Sequence, residues 1–344
     1  MNKGVLGLTF PCNTPLNILF LGETRLPDPF HYTPYSYYYY KYLKRFGHNV
    51  ITVGTYGDLP FTTTFGYYDL MPQLQMLQFQ PDLVLFVESY PLLERFDFKS
   101  LQRCSTPKAF LSLDTALQAS KHLQIASTFD YLFVAHPEYL KIFERHCPKI
   151  PVHVLQYACD PEVHRMVPAL ETADLAFIGT WSNPLLYQER RDYLNRLSGL
   201  FRCEFYENCS ESKIAKVYSR TKLLFNYAPL NGVNSRVVET LCYGKLLLTN
   251  HSAALRNLFT HRRHLVYYRD FSDLVKQIRH YLSATKERQA IAAQGQQLVH
   301  RSHTFVQRIV QILQVVDYQF KKGNNQFQTY PQDNITNNRY MIRN

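Results

Sequence analysis

No two of the seven cysteines are spaced C-x-x-C, and Cys203 and Cys209 do not have zinc-ligand spacing. That argues against a structural zinc site and against a redox dithiol. The odd count points to reduced thiols in a cytosolic protein. No apolar run approaches the roughly 18–20 residues of a spanning helix. Met1 to Pro15 lacks a signal-peptide cleavage pattern, so the expected location is cytoplasmic. The dinucleotide fingerprint G-x-G-x-x-G is missing, and so is any D-x-D pair. The basic residues form no long run. No zinc finger, RNA-binding sheet signature or basic helix ahead of heptads is present, so nucleic acid is not an expected partner. No repeat at solenoid period is found.

What the chain does have is a basic excess. Lys and Arg number 38 against 27 Asp and Glu, a formal net charge of +11. That favours a phosphate-bearing ligand or peripheral contact with an anionic membrane surface. At 344 residues there is room for two ordinary domains, and 46% hydrophobic content supports their cores.

Apolar runs alternate with helical patterns from end to end, which reads as α/β. In the first half, strands are expected at Asn17–Gly22, Asn49–Gly54, Asp82–Val87, Lys108–Leu113, Asp130–Ala135 and Ile150–Tyr157, with helices at Tyr35–Phe46 and Asp69–Phe79. Four strands end in a polar residue: Glu23, Glu88, Asp114 and His136. If the strands are parallel, these four side chains share one rim, where an open α/β sheet binds ligands. A carboxylate or imidazole there could deprotonate a hydroxyl. The simpler reading is helix capping, which suits Asp114 ahead of Thr115-Ala116-Leu117-Gln118. Tyr37 to Tyr40 offer either an aromatic platform or a partly packed helix. Cys159-Asp160-Pro161, with Pro168 beyond, reads as a polar linker.

In the second half, strands are expected at Asp174–Gly179, Cys203–Tyr206, Leu223–Phe225, Leu246–Leu248 and His264–Tyr268. Helices are expected at Gln188–Leu200, Ser210–Arg220, Ser272–Leu282 with Ser272 as cap, Glu287–Arg301 and His303–Phe320. The most informative stretch is Leu223 to Asn250: strand, polar loop, helix, strand. Asn234 and Ser235 offer N-cap oxygens, Val237, Val238, Leu241 and Cys242 mark one helical face, and Gly244 stops the helix. The N-terminus of that helix favours an anion. Arg236 and Glu239 share a helix face near it. Arg236 can grip phosphate oxygens and Glu239 can accept from vicinal hydroxyls, although a surface ion pair is the simpler use of this spacing. His300 and His303 are spaced for a metal but lack a third ligand, so a solvated helix face is expected. After Lys321 the chain is rich in Asn and Gln, as disordered tails are.

The ordered series DLAFIGTW, QERRDYLNRL, VYSRTKLLFN, NSRVVETLCYGKLLLTN, LVYYRDFSDLVKQIRHYL, RQAIAAQGQQLV and HTFVQRIVQIL resembles the group 1 glycosyltransferases of GT-B architecture, in particular their spore-maturation, CgeB-like branch. A looser match runs through ILFLG, YLKRFGHNV, PDLVLFVES and FDYLFVAHPEYL. The resemblance implies an α/β GT-B fold, two Rossmann-like domains with parallel sheets facing across a cleft. The expected division is an extension (1–16), an acceptor domain (17–165), a nucleotide-sugar domain (166–302), a helix returning to the first domain (303–320) and a tail (321–344). The implied reaction is transfer of a sugar, hexosyltransferase-like, from a nucleotide-diphosphate sugar to a hydroxyl acceptor, with no catalytic metal and no other cofactor.

The donor residues it implies are Gly179, Thr180, Arg190, Asn226, Asn234, Ser235, Arg236 and Glu239, with Asp114 or Glu88 as base if the sugar is inverted. Many retaining members carry a second glutamate eight positions before the first. Here that position is Asn231. It leaves stereochemistry open and leaves room for a non-catalytic binding or scaffold protein of a surface or envelope structure.

Overall fold

The computed structural model describes residues 15–24, 33–60, 70–183, 185–229 and 232–323. Asn231, and most of both the expected extension and the expected tail, lie outside them. The chain divides into two compact units, Thr14–Ile309 and Val310–Asn344 with Met1–Asn13. The larger unit holds both sheets. In the smaller one, the described residues are the end of a helix running to Gly323.

The first sheet has β1 (Asn17–Leu21), β2 (Asn49–Gly54), β3 (Leu59–Pro60), β4 (Leu83–Val87), β5 (Lys108–Ser112), β6 (Tyr131–Val134) and β7 (Val152–Val154). Every pairing is parallel, and the order is β3-β2-β1-β4-β5-β6-β7. The second has β8 (Ala173–Ile178), β9 (Cys203–Tyr206), β10 (Thr221–Asn226), β11 (Leu246–Asn250) and β12 (Val266–Tyr268), again parallel, in the order β12-β11-β10-β8-β9. The helices are α1 (Tyr35–Arg45), α2 (Leu70–Met76), α3 (Tyr90–Arg95), α4 (Thr115–Ala126), α5 (Leu140–His146), α6 (Gln188–Ser198), α7 (Glu211–Ser219), α8 (Ser235–Cys242), α9 (Ala253–Arg256), α10 (Phe271–Ser283), α11 (Thr285–Ser302) and α12 (Phe305–Gly323).

The central strands are apolar on both faces because both faces are covered. Leu83 to Val87 are all buried, and the Phe86 ring stacks on Phe110 with centroids 4.9 Å apart. In the second sheet Leu223, Leu224 and Phe225 align with Leu246, Leu247 and Leu248. The chain order reverses between β1 and β4 in the first sheet and between β8 and β10 in the second. A crevice opens outside the carboxyl ends of the strands at such a reversal. That is why the loop after β8 and the loop from β10 into α8 meet.

The segment read as a polar linker joins β7 to β8, and it is packed. Asp160 is fully buried and accepts from Lys41 Nζ (2.6 Å) and Tyr42 Oη (2.8 Å). Beside it, Cys159 N donates to His303 O (2.9 Å) and Phe305 N donates to Cys159 O (3.2 Å). The Phe305 ring then lodges against α1, 4.8 Å from Tyr38 and 5.2 Å from Tyr39. So the tyrosine run is a packing face, with Tyr38 and Tyr39 buried. His300 and His303 are not on a solvated face either. His300 Nε2 meets Cys242 Sγ at 3.3 Å, and buried His303 receives Arg308 Nη2 at 2.9 Å on its Nδ1. The cap of α10 is Asp270, whose carboxylate accepts from Asp273 N (2.8 Å), and not Ser272.

His164 and His303 make folding pH-dependent. Burial lowers His164 to about 4, and burial with the nearby Arg308 lowers His303 to about 3. Histidines depressed in the folded state stabilise it fully above the unfolded value near 6.5, and lose that contribution as pH falls toward the folded values. Glu239 and Asp114, both raised, pull the other way over the same interval, so the test is a difference: between pH 7 and pH 5 the melting temperature of His303→Asn is expected to fall less, or rise more, than that of wild type. A slope equal in variant and wild type would remove His303 from the account.

Candidate active site

A cavity of about 230 Å³ lies where the two sheets' loops meet. Its first-half wall includes Asp114, Leu117, His136 and Tyr157, and its second-half wall Thr180, Tyr187, Arg190, Asn234, Ser235 and Arg236. Seven residues picked out from the sequence thus converge: Asp114, His136, Thr180, Arg190, Asn234, Ser235 and Arg236.

Arg236 is the second residue of α8. Its Nε donates to Ile178 O (2.6 Å) and its Nη1 to Asn226 Oδ1 (3.1 Å), and its guanidinium lies over the Phe177 ring. Gly179 permits this path. A Cβ there would stand 1.9 Å from Arg236 Nη2, an overlap no rotamer of alanine avoids. Arg190, reaching in from α6, is buried and over the Tyr187 and Phe177 rings. It donates to Thr180 O and, through Nε (3.0 Å) and Nη2 (2.6 Å), to Tyr227 O. One guanidinium thereby fastens both loops of the crevice. Burial, and then the charge of Arg236, lower its pKa to about 9, so it is still a cation at pH 7. Among the described residues neither arginine has a carboxylate within ion-pair distance. Asn234 occupies the N-cap position of α8 without capping it by its side chain, so the helix's first N–H groups lack that partner. Two cations and a positive helix end together favour an anion.

Three expected donor residues are placed differently. Asn226 is fully buried; its amide donates to Thr249 Oγ1 (3.0 Å) and its oxygen accepts from Asn234 and Arg236. It holds the residues that line the cavity and does not line it. Gly179 makes room for Arg236. Glu239 does not line the cavity. It takes a hydrogen bond from Ser235, and burial, then Glu211, raise it to about 7. Near it Tyr38 Oη donates to Glu211 Oε1 (2.9 Å), joining α1 to α7.

On the opposite side, Glu88 does not line the cavity. Its Oε2 accepts from the backbone N of Leu113 and of Asp114, and its Oε1 lies 3.2 Å from His122 Nε2. A carboxylate so engaged fixes the loop after β5. Glu23 does the same for Thr55, accepting from its N (3.1 Å) and Oγ1 (2.9 Å). Asp114 stands at the N-cap of α4, but its side chain makes no cap bond. Its side chain lines the cavity and is solvent-exposed there. Burial, and next the charge of Glu88, raise it to about 6, while Tyr157 bonds to it and opposes the shift. Tyr157 was missed from sequence, where it is only the end of an apolar run. Its Oη also reaches Leu113 O (2.8 Å) and His136 Nε2 (3.3 Å).

Two Rossmann-like domains with parallel sheets facing across a cleft define the class: the protein has the GT-B fold. Within it, residues 163–314 match the glycosyl transferase-like family. The solved structures agree on the architecture. Sucrose-phosphate synthase from Thermosynechococcus elongatus superposes with a TM-score of 0.61 at 12% identity, over 89% of this chain and 100% of its own. HepE of Anabaena, in complex with UDP-glucose, gives 0.65 at 12% over 88% and 100%. An alpha-glucosyltransferase in complex with UDP-glucose and DNA gives 0.62 at 10% over 88% and 100%. No curated protein sequence matches the chain. The solved structures agree on the GT-B fold, and the family match lies within its second half. Among the described residues no helix is long and apolar enough to cross a membrane, and no cluster of three or more His, Cys, Asp or Glu could hold a metal ion.

Proposed function

We propose that the protein transfers a sugar, as a hexosyltransferase of the CgeB-like branch, from a nucleotide-diphosphate sugar to a hydroxyl acceptor, in the cytoplasm or at a membrane surface. The observation that carries this is the Arg190–Arg236 pair, lacking carboxylate partners among the described residues, beside the start of α8. The diphosphate seats there, with Thr180, Asn234 and Ser235 around it. The two guanidiniums and the helix terminus neutralise the leaving diphosphate without a metal ion. The first lobe brings the acceptor. Asp114 takes the hydroxyl proton as the oxygen attacks the anomeric carbon and the bond to the diphosphate breaks, which inverts that carbon. Glu239, one turn along α8, receives the ribose hydroxyls when the lobes part enough to admit a nucleoside. The neighbours' UDP complexes make uridine the first nucleotide to try.

One observation favours a second reading, a non-catalytic binding protein. The cavity, at about 230 Å³, is below the roughly 300 Å³ at which ligand pockets usually begin. Thermal-shift screening of nucleotide sugars followed by donor hydrolysis separates the two. A specific donor should raise the melting temperature and be slowly hydrolysed. Stabilisation without hydrolysis or transfer leaves the binding protein, and no stabilisation by any nucleotide sugar removes both.

A further inference from the structure

A second, open groove lies elsewhere. It measures about 490 Å³ and runs between α6 and α10, lined by Arg196, Leu200, Phe271, Ser272, Val275, Lys276 and Arg279. No carboxylate lines it. Among the described residues, Arg196, Lys276 and Arg279 have no ion-pair partner. Of the acids nearest on α10, Asp273 pairs with Arg269 (3.3 Å) and Asp270 accepts from Asp273 N (2.8 Å). On α10, Ser272, Lys276 and Arg279 fall at i, i+4 and i+7, so they form one exposed stripe. On α6, Arg196 lies 3.5 Å over the Phe271 ring, which fixes its charge at the groove. Between the cations the floor is apolar: Phe271, Val275 and the exposed Leu200.

Three clustered positive charges without a counter-charge call for an anion. The apolar floor calls for a ligand with hydrocarbon next to that anion. A free phosphate or nucleotide would use the first feature and leave the second bare. We propose that this groove binds the phosphate of an anionic glycerophospholipid, with its acyl-glycerol part against Leu200 and Val275, and so seats the second lobe on a membrane surface. This deepens the membrane-surface part of the function proposed above and is independent of its chemistry. The same helix serves both places: Arg190 at one end of α6 enters the diphosphate cavity and Arg196, about 9 Å further along the axis, meets the lipid.

Co-sedimentation of the full chain with vesicles tests it. Binding is expected to phosphatidylcholine vesicles carrying about 30% phosphatidylglycerol and not to phosphatidylcholine alone, since each basic group near an anionic surface contributes about fivefold. The charge reversals Lys276→Glu and Arg279→Glu together should weaken it at least about tenfold, and Leu200→Asp should weaken it too. Ser272→Glu, at an exposed position, is the second charge variant if the first pair fails to fold. In all of these, stabilisation by UDP should equal that of wild type, which keeps a failure here distinct from a failure of the donor site. Wild type that ignores anionic vesicles, or charge variants that bind as wild type does, would overturn the proposal. Displacement from vesicles by millimolar glycerol 3-phosphate would also overturn it, by assigning the groove to a soluble phosphate compound.

Discussion

Arg236→Ala is expected to weaken binding of UDP and UDP-sugars about 100-fold, because a charge-assisted contact to phosphate is worth about 3 kcal/mol. The lost guanidinium is already in place before the ligand arrives. Ile178 O, Asn226 Oδ1 and the Phe177 ring hold it. A preorganised donor loses little side-chain freedom on binding, so its removal shows almost fully in affinity. Gly179→Ala supplies the stricter test. It deletes no charge, yet its Cβ would lie 1.9 Å from Arg236 Nη2, so the guanidinium must leave its seat. The same affinity loss is expected from a single added methyl. Calorimetry with UDP reads both. Affinity within twofold of wild type in Arg236→Ala would end the diphosphate assignment.

Asp114→Asn is expected to cut turnover by about 10²- to 10⁴-fold, the usual contribution of a general base, with little change in donor affinity. The pH profile adds a signature. With Asp114 at about 6, the basic form is scarce at pH 5 and dominant at pH 7, so the rate should climb through that interval and then level. The asparagine variant should lack the climb. The linkage to folding has the opposite sense. A carboxylate raised in the folded state favours folding fully below its unfolded value near 3.8 and loses that contribution as pH rises through the folded value. Asp114 is therefore held ionised at neutral pH at some expense in stability, as functional groups often are. An unchanged rate would dismiss it as the base and leave front-side displacement, which needs none.

The sheets were legible because their strands are unbroken apolar runs bounded by polar residues. Short elements were not. α3, α5 and α9 are four to seven residues long and have too few turns to set a period. Ends slipped where caps compete: Asp270 and Ser272 both qualify chemically, and only the backbone decided between them. At the site, the rim residues were identified in sequence but not sorted. Glu88 and Asp114 end adjacent strands, and whether such a carboxylate faces a ligand or a neighbour's backbone N–H depends on the next loop's course. Glu88 met the amides of Leu113 and Asp114; Asp114 met open space. Asn226 misled in the same way, since a buried amide that orients an arginine is as specific to the motif as one that touches ligand. Tyr157 carried no signal beyond being a tyrosine at a strand's end.

The two backbone passages near Cys159 and Thr304 are stitched to each other by a pair of N–H···O=C bonds. Separate tethers would let the halves twist and slide independently. A stitched seam ties the two crossings together, so any relative movement of the halves carries both at once. On the proposed function, donor entry and nucleotide release would both draw on that shared movement.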